Sequence, residues 1–205
     1  MTGRVLLARN GETTWTSAGR LQGWAPVRLT DHGRDQVDAL ADALASREPD
    51  RLLASDLHRS LRTARVVADA TGLDAVPDRA WRARDLGRLQ GLSAEKAFKR
   101  FPRFSLARRG AAALTERPDG GESARDARER VVSAFDRLVA GLGPSETVIV
   151  VTQADAVRTV CCEVDGSNFV RASIDRSVPP ASITEVAVRD SGPSVVAADE
   201  TGHLD

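Results

Sequence analysis

Apolar and polar residues alternate along the chain in blocks that predict strands and helices in turn. Val5-Leu6-Leu7-Ala8 is an unbroken apolar run closed by polar residues, the pattern of a strand buried on both faces. Leu29-Thr30-Asp31 then opens a helix, with Thr30 or Asp31 as its cap and Val37, Leu40, Ala41 and Leu44 along one face. Arg51–Ser55 reads as a second strand. Asp56 is the expected cap of the helix after it, whose face carries Leu61, Ala64, Val67 and Ala68. Residues 72–92 hold a weak strand and an irregular loop, and a helical pattern restarts at Ser93. The turn Pro118-Asp119-Gly120-Gly121 leads into a long helix, roughly Ser123 to Leu142, that keeps Val131, Val132, Phe135 and Leu138 together. Thr147–Thr152, with its Val-Ile-Val-Val centre, is the clearest strand. A further helix follows, then closing strands at Ser182–Val188 and Ser194–Ala198. The tail Gly202–Asp205 reads as frayed.

Strands separated by helices of crossover length predict an open α/β sheet, mostly parallel, with ligands bound beyond the carboxyl ends of the strands. The segments after the first strand and after Thr152 are therefore the places to look for chemistry. Composition changes this picture little. A chain of 205 residues can bury a full core, and one domain over 1–205 is the expectation. With 29 basic and 29 acidic side chains, no net field draws in nucleic acid or an anionic membrane. The basic stretch Arg100–Arg109 reads as a solvated helix face. No leader or spanning run is visible, and the adjacent Cys161 and Cys162 lie in an apolar helical pattern without histidines nearby. The expectation is a cytoplasmic protein with two reduced core thiols, no metal and no cofactor.

Arg9-Asn10-Gly11-Glu12-Thr13, directly after the first strand, resembles the Arg-His-Gly-Glu-Thr signature of the histidine phosphatase (phosphoglycerate-mutase-like) superfamily. Further blocks are similar in the same order: Gly19–Trp24 with Leu29-Thr30 and Gly33, Ser55–Ser60 with Thr63-Ala64, Arg84–Gly87 with Leu89–Gly91, Gly120–Ser123, and Val148–Val157. The resemblance implies a three-layer α/β sandwich with a mostly parallel central sheet. It also implies that Arg9 and Arg59 stand where the family grips phosphate oxygens. Guanidinium suits that task because its planar fork matches an oxyanion and stays charged.

Three further positions depart from the family pattern. Asn10 occupies the place of the nucleophilic histidine, Ala83 that of the acid, and Gln153 that of the second histidine. A carboxamide cannot attack phosphorus, and losing the nucleophile of a concerted site lowers the rate on the order of 10⁶-fold. Asp155 replaces a small family residue and brings a carboxylate to the pocket, where like charge opposes a bare anion. The site expected from sequence is thus Asn10, Gln153 and Asp155 as altered catalytic positions, with Arg9, Arg59, Glu12 and Trp24 as ligand contacts. Trp15 and Trp24 belong to the loop that flanks the mouth in the family. His32, His58 and His203 are assigned to the surface.

Two uses of the arginines stay open: partners for Asp155, Glu12 or Asp85, or binders of an external anion. Two functions follow. One is a degenerate family member that binds a small acidic metabolite or a protein partner in the old pocket. The other is an enzyme recruited to cyclisation, elimination or isomerisation, with Asp155 or Glu12 as base and an oxyanion pocket from Asn10, Gln153, Arg9 and Arg59. Residual phosphatase activity ranks behind both. A small anionic molecule is the expected partner, and a homodimer stays open.

Overall fold

A computed structural model describes residues 3–205. In chain order the elements are β1 (Gly3–Arg9), α1 (Thr14–Ser17), α2 (Asp31–Ala45), β2 (Arg51–Ala54), α3 (His58–Thr71) and β3 (Ala75–Pro77). Then come α4 (Ala94–Arg100), α5 (Leu106–Arg109), α6 (Ala124–Ala140), β4 (Thr147–Thr152), α7 (Ala154–Asp165), α8 (Phe169–Asp175), β5 (Ile183–Arg189) and β6 (Gly192–Glu200). The six strands form one sheet in the order β3-β2-β4-β1-β5-β6. The pairs β1–β4, β2–β4 and β2–β3 are parallel, and β1–β5 and β5–β6 antiparallel. The mostly parallel sheet expected from the block pattern is present.

Side-chain alternation sorts the apolar residues onto two faces. Val5, Leu7, Val148 and Val150 pack against α6 and α7 through Val131, Phe135, Val157 and Val160. Leu6, Ala8, Ile149 and Val151 face the other way, against Leu40, Leu44, Ala64 and Val67 of α2 and α3. Because β1 and β4 are buried on both sides, their sequences are continuous apolar runs. A satellite cluster of Leu89, Ala97 and Phe104 anchors the excursion before α6.

The local signals mostly act as read. Thr30 caps α2 by accepting from Gly33 N, and Ser123 with Asp126 closes a capping box on α6. Cys161 and Cys162 are buried free thiols, and burial pushes Cys161 up to about 11.

Four expectations need correction. Asp56 does not cap α3; its carboxylate is held by Arg82, 2.5 and 2.6 Å away, and Leu57 is the cap residue. Leu61 is exposed, because the buried stripe of α3 runs through Arg59, Ser60, Thr63, Ala64 and Val67. The Arg100–Arg109 stretch is not one helix face, since Pro102 opens a 3₁₀ turn between α4 and α5. The tail is tied down: Gly202–Leu204 forms a 3₁₀ turn, His203 Nε2 lies 2.9 Å from Ala181 O, and Leu204 packs on the core.

Among the described residues no helix is long and apolar enough to cross a membrane.

Candidate functional site

The carboxyl ends of β1 and β4 lie side by side, with Arg9 in register with Thr152 and Asn10 N donating to Thr152 O at 3.0 Å. Arg9, Asn10 and Gln153 therefore emerge at one edge of the sheet. Gly11 is fixed there by a close approach: a Cβ on it would lie 2.4 Å from Gly33 O. That contact seats the loop after β1 on the first turn of α2. The first turn of α3 delivers Arg59 and Ser60 to the same place, and α7 begins immediately after Gln153.

These elements enclose a cavity of about 300 Å³, at the lower end of small-ligand sites. Arg9, Asn10, Gln22, Arg59, Gln153 and Asp155 belong to its polar lining, while Leu21, Leu86, Leu106, Val131 and Phe169 contribute an apolar flank. Ala83, whose methyl group stands where the family's acid is expected, is in the wall. The loop carrying Ala83 is held firmly. Its carbonyl accepts from Trp24 Nε1 at 2.7 Å and Arg130 at 3.2 Å, and Thr152 Oγ1 donates to Trp81 O at 2.7 Å.

Five of the seven sequence-assigned site residues line this cavity: Arg9, Asn10, Arg59, Gln153 and Asp155. Glu12 and Trp24 do not. The Glu12 carboxylate turns to Thr30, accepting from its hydroxyl at 2.8 Å, so it braces the start of α2. Trp24 is used as a platform: its indole N–H is spent on Ala83 O, and Arg82 stacks over its ring at 4.4 Å. His58 lies outside the cavity, in a separate groove between α2 and α3 lined also by Arg28, Arg62 and Arg65.

Charge in the cavity is unevenly compensated. Arg82 is locked to Asp56, and Arg128 pairs with Glu163 at 2.6 Å. Arg9 and Arg59, by contrast, have no carboxylate within ion-pair distance among the described residues. Arg9 donates to Val178 O, and Arg59 donates to Gly23 O at 2.8 Å and Ala25 O at 3.5 Å. Burial pushes both guanidiniums down to about 10; Arg158 adds to this for Arg9, and Asp155 opposes it for both. At neutral pH they remain charged.

Of the expected partners, Asp155 accepts instead from the backbone N–H of Arg84 at 2.6 Å, and Asp85 accepts from Gly87 N at 2.9 Å. Asn10 Nδ2 is turned onto Gly11 O at 2.8 Å, and Gln153 Nε2 onto Ser60 Oγ at 2.5 Å. Their donors are directed to the protein, which weakens the oxyanion pocket expected from those two amides. Gln153 makes no side-chain cap for α7, and the start of that helix, Gln153 to Asp155, borders the cavity, where its dipole favours an anion.

Sequence reasoning missed Arg158. It lines the cavity one turn beyond Asp155 on α7, and its Nε is buried without a partner among the described residues. The i, i+3 spacing from Asp155 was the signal that could have placed it on this face. Among the described residues no cluster of three His, Cys, Asp or Glu side chains gathers to hold a metal.

The sequence model described as histidine phosphatase superfamily (branch 1) matches residues 5–201. Metal-independent phosphoserine phosphatase of Arabidopsis thaliana is 31% identical over 204 residues, 98% of this chain and 82% of that protein. Phosphoglycerate mutase-like protein 4 of the same plant is 32% identical over 158 residues, 76% of this chain and 68% of that protein. The solved structure of mycobacterial glucosyl-3-phosphoglycerate phosphatase superposes with a TM-score of 0.85 at 25% identity, covering 98% of this chain and 100% of that one.

Proposed function

The chain belongs to branch 1 of the histidine phosphatase superfamily, and from that premise we propose that it binds a small anionic metabolite in the family's pocket without histidine-based phosphoryl transfer. One observation carries the reading. Arg9, half-buried, and Arg59, buried, are cations with no ion-pair partner among the described residues, and they border a cavity that opens beside an uncapped helix start. A buried charge that only carbonyl dipoles compensate is costly, and an entering oxyanion relieves that cost through bidentate, charge-assisted hydrogen bonds. The same two residues therefore give an anion its affinity.

The case against phosphoryl transfer rests on Asn10, Ala83 and Gln153. No group among them is a nucleophile or titrates near neutrality. Asn10 moreover commits its amide to Gly11 O, and Gln153 to Ser60.

Calorimetric titration with inorganic phosphate tests the reading, run in parallel on the native chain and on Arg59→Met. Saturable binding that the substitution removes is the expected result. Absence of heat at millimolar phosphate, or binding that survives Arg59→Met, contradicts it.

A further inference from the structure

Deepening that reading, we infer that the ligand is a phosphorylated primary amine: a dianionic head for the arginines joined to an ammonium for Asp155. The inference rests on the anion-binding reading above and concerns what else the ligand must carry.

Asp155 is an anomaly in an anion pocket. It lines the cavity from the first turn of α7, and its only hydrogen bond to its carboxylate among the described residues comes from Arg84 N at 2.6 Å. Its charge reaches Arg9, Arg59 and Arg84, yet no guanidinium nitrogen of any of them comes within 4.0 Å of its oxygens. The carboxylate is therefore not stored as an internal counter-ion. Arg84 is itself turned away, donating to Glu122 O at 2.9 Å and Glu116 O at 3.2 Å. Left facing a bare anion, a carboxylate lowers affinity by like-charge repulsion. Facing an ammonium, it raises affinity.

The neighbouring polar groups show the same division. Asn10 spends its donor side on Gly11 O, and among the described residues nothing donates to its side-chain oxygen. Gln153 Oε1 is buried and has no partner among the described residues. Both sit at the strand ends beside Asp155, since Asn10 N is bonded to Thr152 O. The lining of one cavity thus includes three acceptors, Asn10, Gln153 and Asp155, alongside three donors, Arg9, Arg59 and Arg158. An ammonium brings three N–H donors and no acceptor, whereas a phosphate brings acceptors and negative charge. A ligand that joins the two satisfies both groups at once. Three guanidiniums against one carboxylate favour a dianionic head over a monoanionic one, which selects phosphate over carboxylate.

The test compares two probes of nearly equal shape, O-phosphoethanolamine and propyl phosphate, titrated calorimetrically into the full chain, with inorganic phosphate as reference. The expected result is that phosphoethanolamine binds at least about 10-fold tighter than propyl phosphate. In Asp155→Asn the preference disappears while propyl phosphate binds as well as before or better. Equal binding of the two probes by the native chain, or tighter binding of propyl phosphate, overturns the inference, as does a preference that survives in Asp155→Asn. The native comparison decides the matter even if the variant unfolds. Binding of inorganic phosphate without any ammonium preference refutes this inference alone, whereas no binding of inorganic phosphate removes the anion-binding reading beneath it.

Discussion

Two sets of arginines around the cavity are treated by the protein in opposite ways. Arg82 and Arg130, in and behind the wall, are saturated. Arg82 grips Asp56 and lies on Trp24, and Arg130 joins Glu122 to the carbonyls of Ala80, Arg82 and Ala83. Arg9, Arg59 and Arg158, at the inner end, have no carboxylate within reach among the described residues. Saturation in the wall fixes the loop that carries Ala83. On the proposed reading, incomplete pairing inside leaves charge for a bound anion, and the same residue type is structural where its fork is filled and ligand-binding where it is not.

This division predicts opposite phenotypes. Arg130→Met breaks a largely buried pair and frees three carbonyls, so it should lower the unfolding free energy by about 3 kcal/mol while phosphate affinity changes little; urea denaturation and calorimetry measure the two quantities. Arg59→Met should do the reverse. Phosphate affinity falls about 100-fold, and thermal stability without phosphate is unchanged or rises, because a desolvated charge has been removed. Loss of stability with retained binding in Arg59→Met would erase the distinction between the two groups.

Ligand and pH sharpen it further. Phosphate at one hundred times its Kd should stabilise the native chain by about 2.7 kcal/mol, seen as a rise in Tm that Arg59→Met lacks. Arg9 and Arg59 are cationic below their lowered values near 10, so phosphate affinity should hold from pH 8 to 9 and fall as pH rises through about 10. Affinity that persists to pH 11 would mean that other groups hold the anion. The smallest effect belongs to Asp56→Asn. This partly exposed pair contributes about 1 kcal/mol, and phosphate affinity should not move. Arg82 holds the Asp56 carboxyl below its usual range, so that contribution is present above the ordinary carboxylate value and is lost as pH falls through the lowered one.

The parts of the molecule legible in the sequence were those governed by near neighbours. The apolar run at Thr147–Thr152 and the Thr30 cap are set within a few residues, and both appear as read. The fold and the position of the pocket followed from the order of such blocks. Asp56 was misread because its partner, Arg82, stands 26 positions away in sequence and outcompetes the helix start. Trp24 and Glu12 read as ligand contacts by their motifs, but hydrogen bonds to Ala83 and Thr30 draw them into the framework. Arg158 belongs to none of the signature blocks, and in the sequence only its i, i+3 spacing from Asp155 points to the cavity face of α7. Whether Arg9 and Arg59 were paired internally could not be read from types and spacing at all. It depends on a few ångströms of separation from Asp155.

On the proposed reading this pocket holds a phosphoryl group without transferring it. Phosphorus NMR of the native chain mixed with p-nitrophenyl phosphate tests both halves in one sample. The expected result is a shifted, broadened ester resonance that Arg59→Met restores to its free position, with no inorganic phosphate released above the protein-free control. Release of inorganic phosphate at a rate proportional to protein, and abolished by Asn10→Ala, would contradict it.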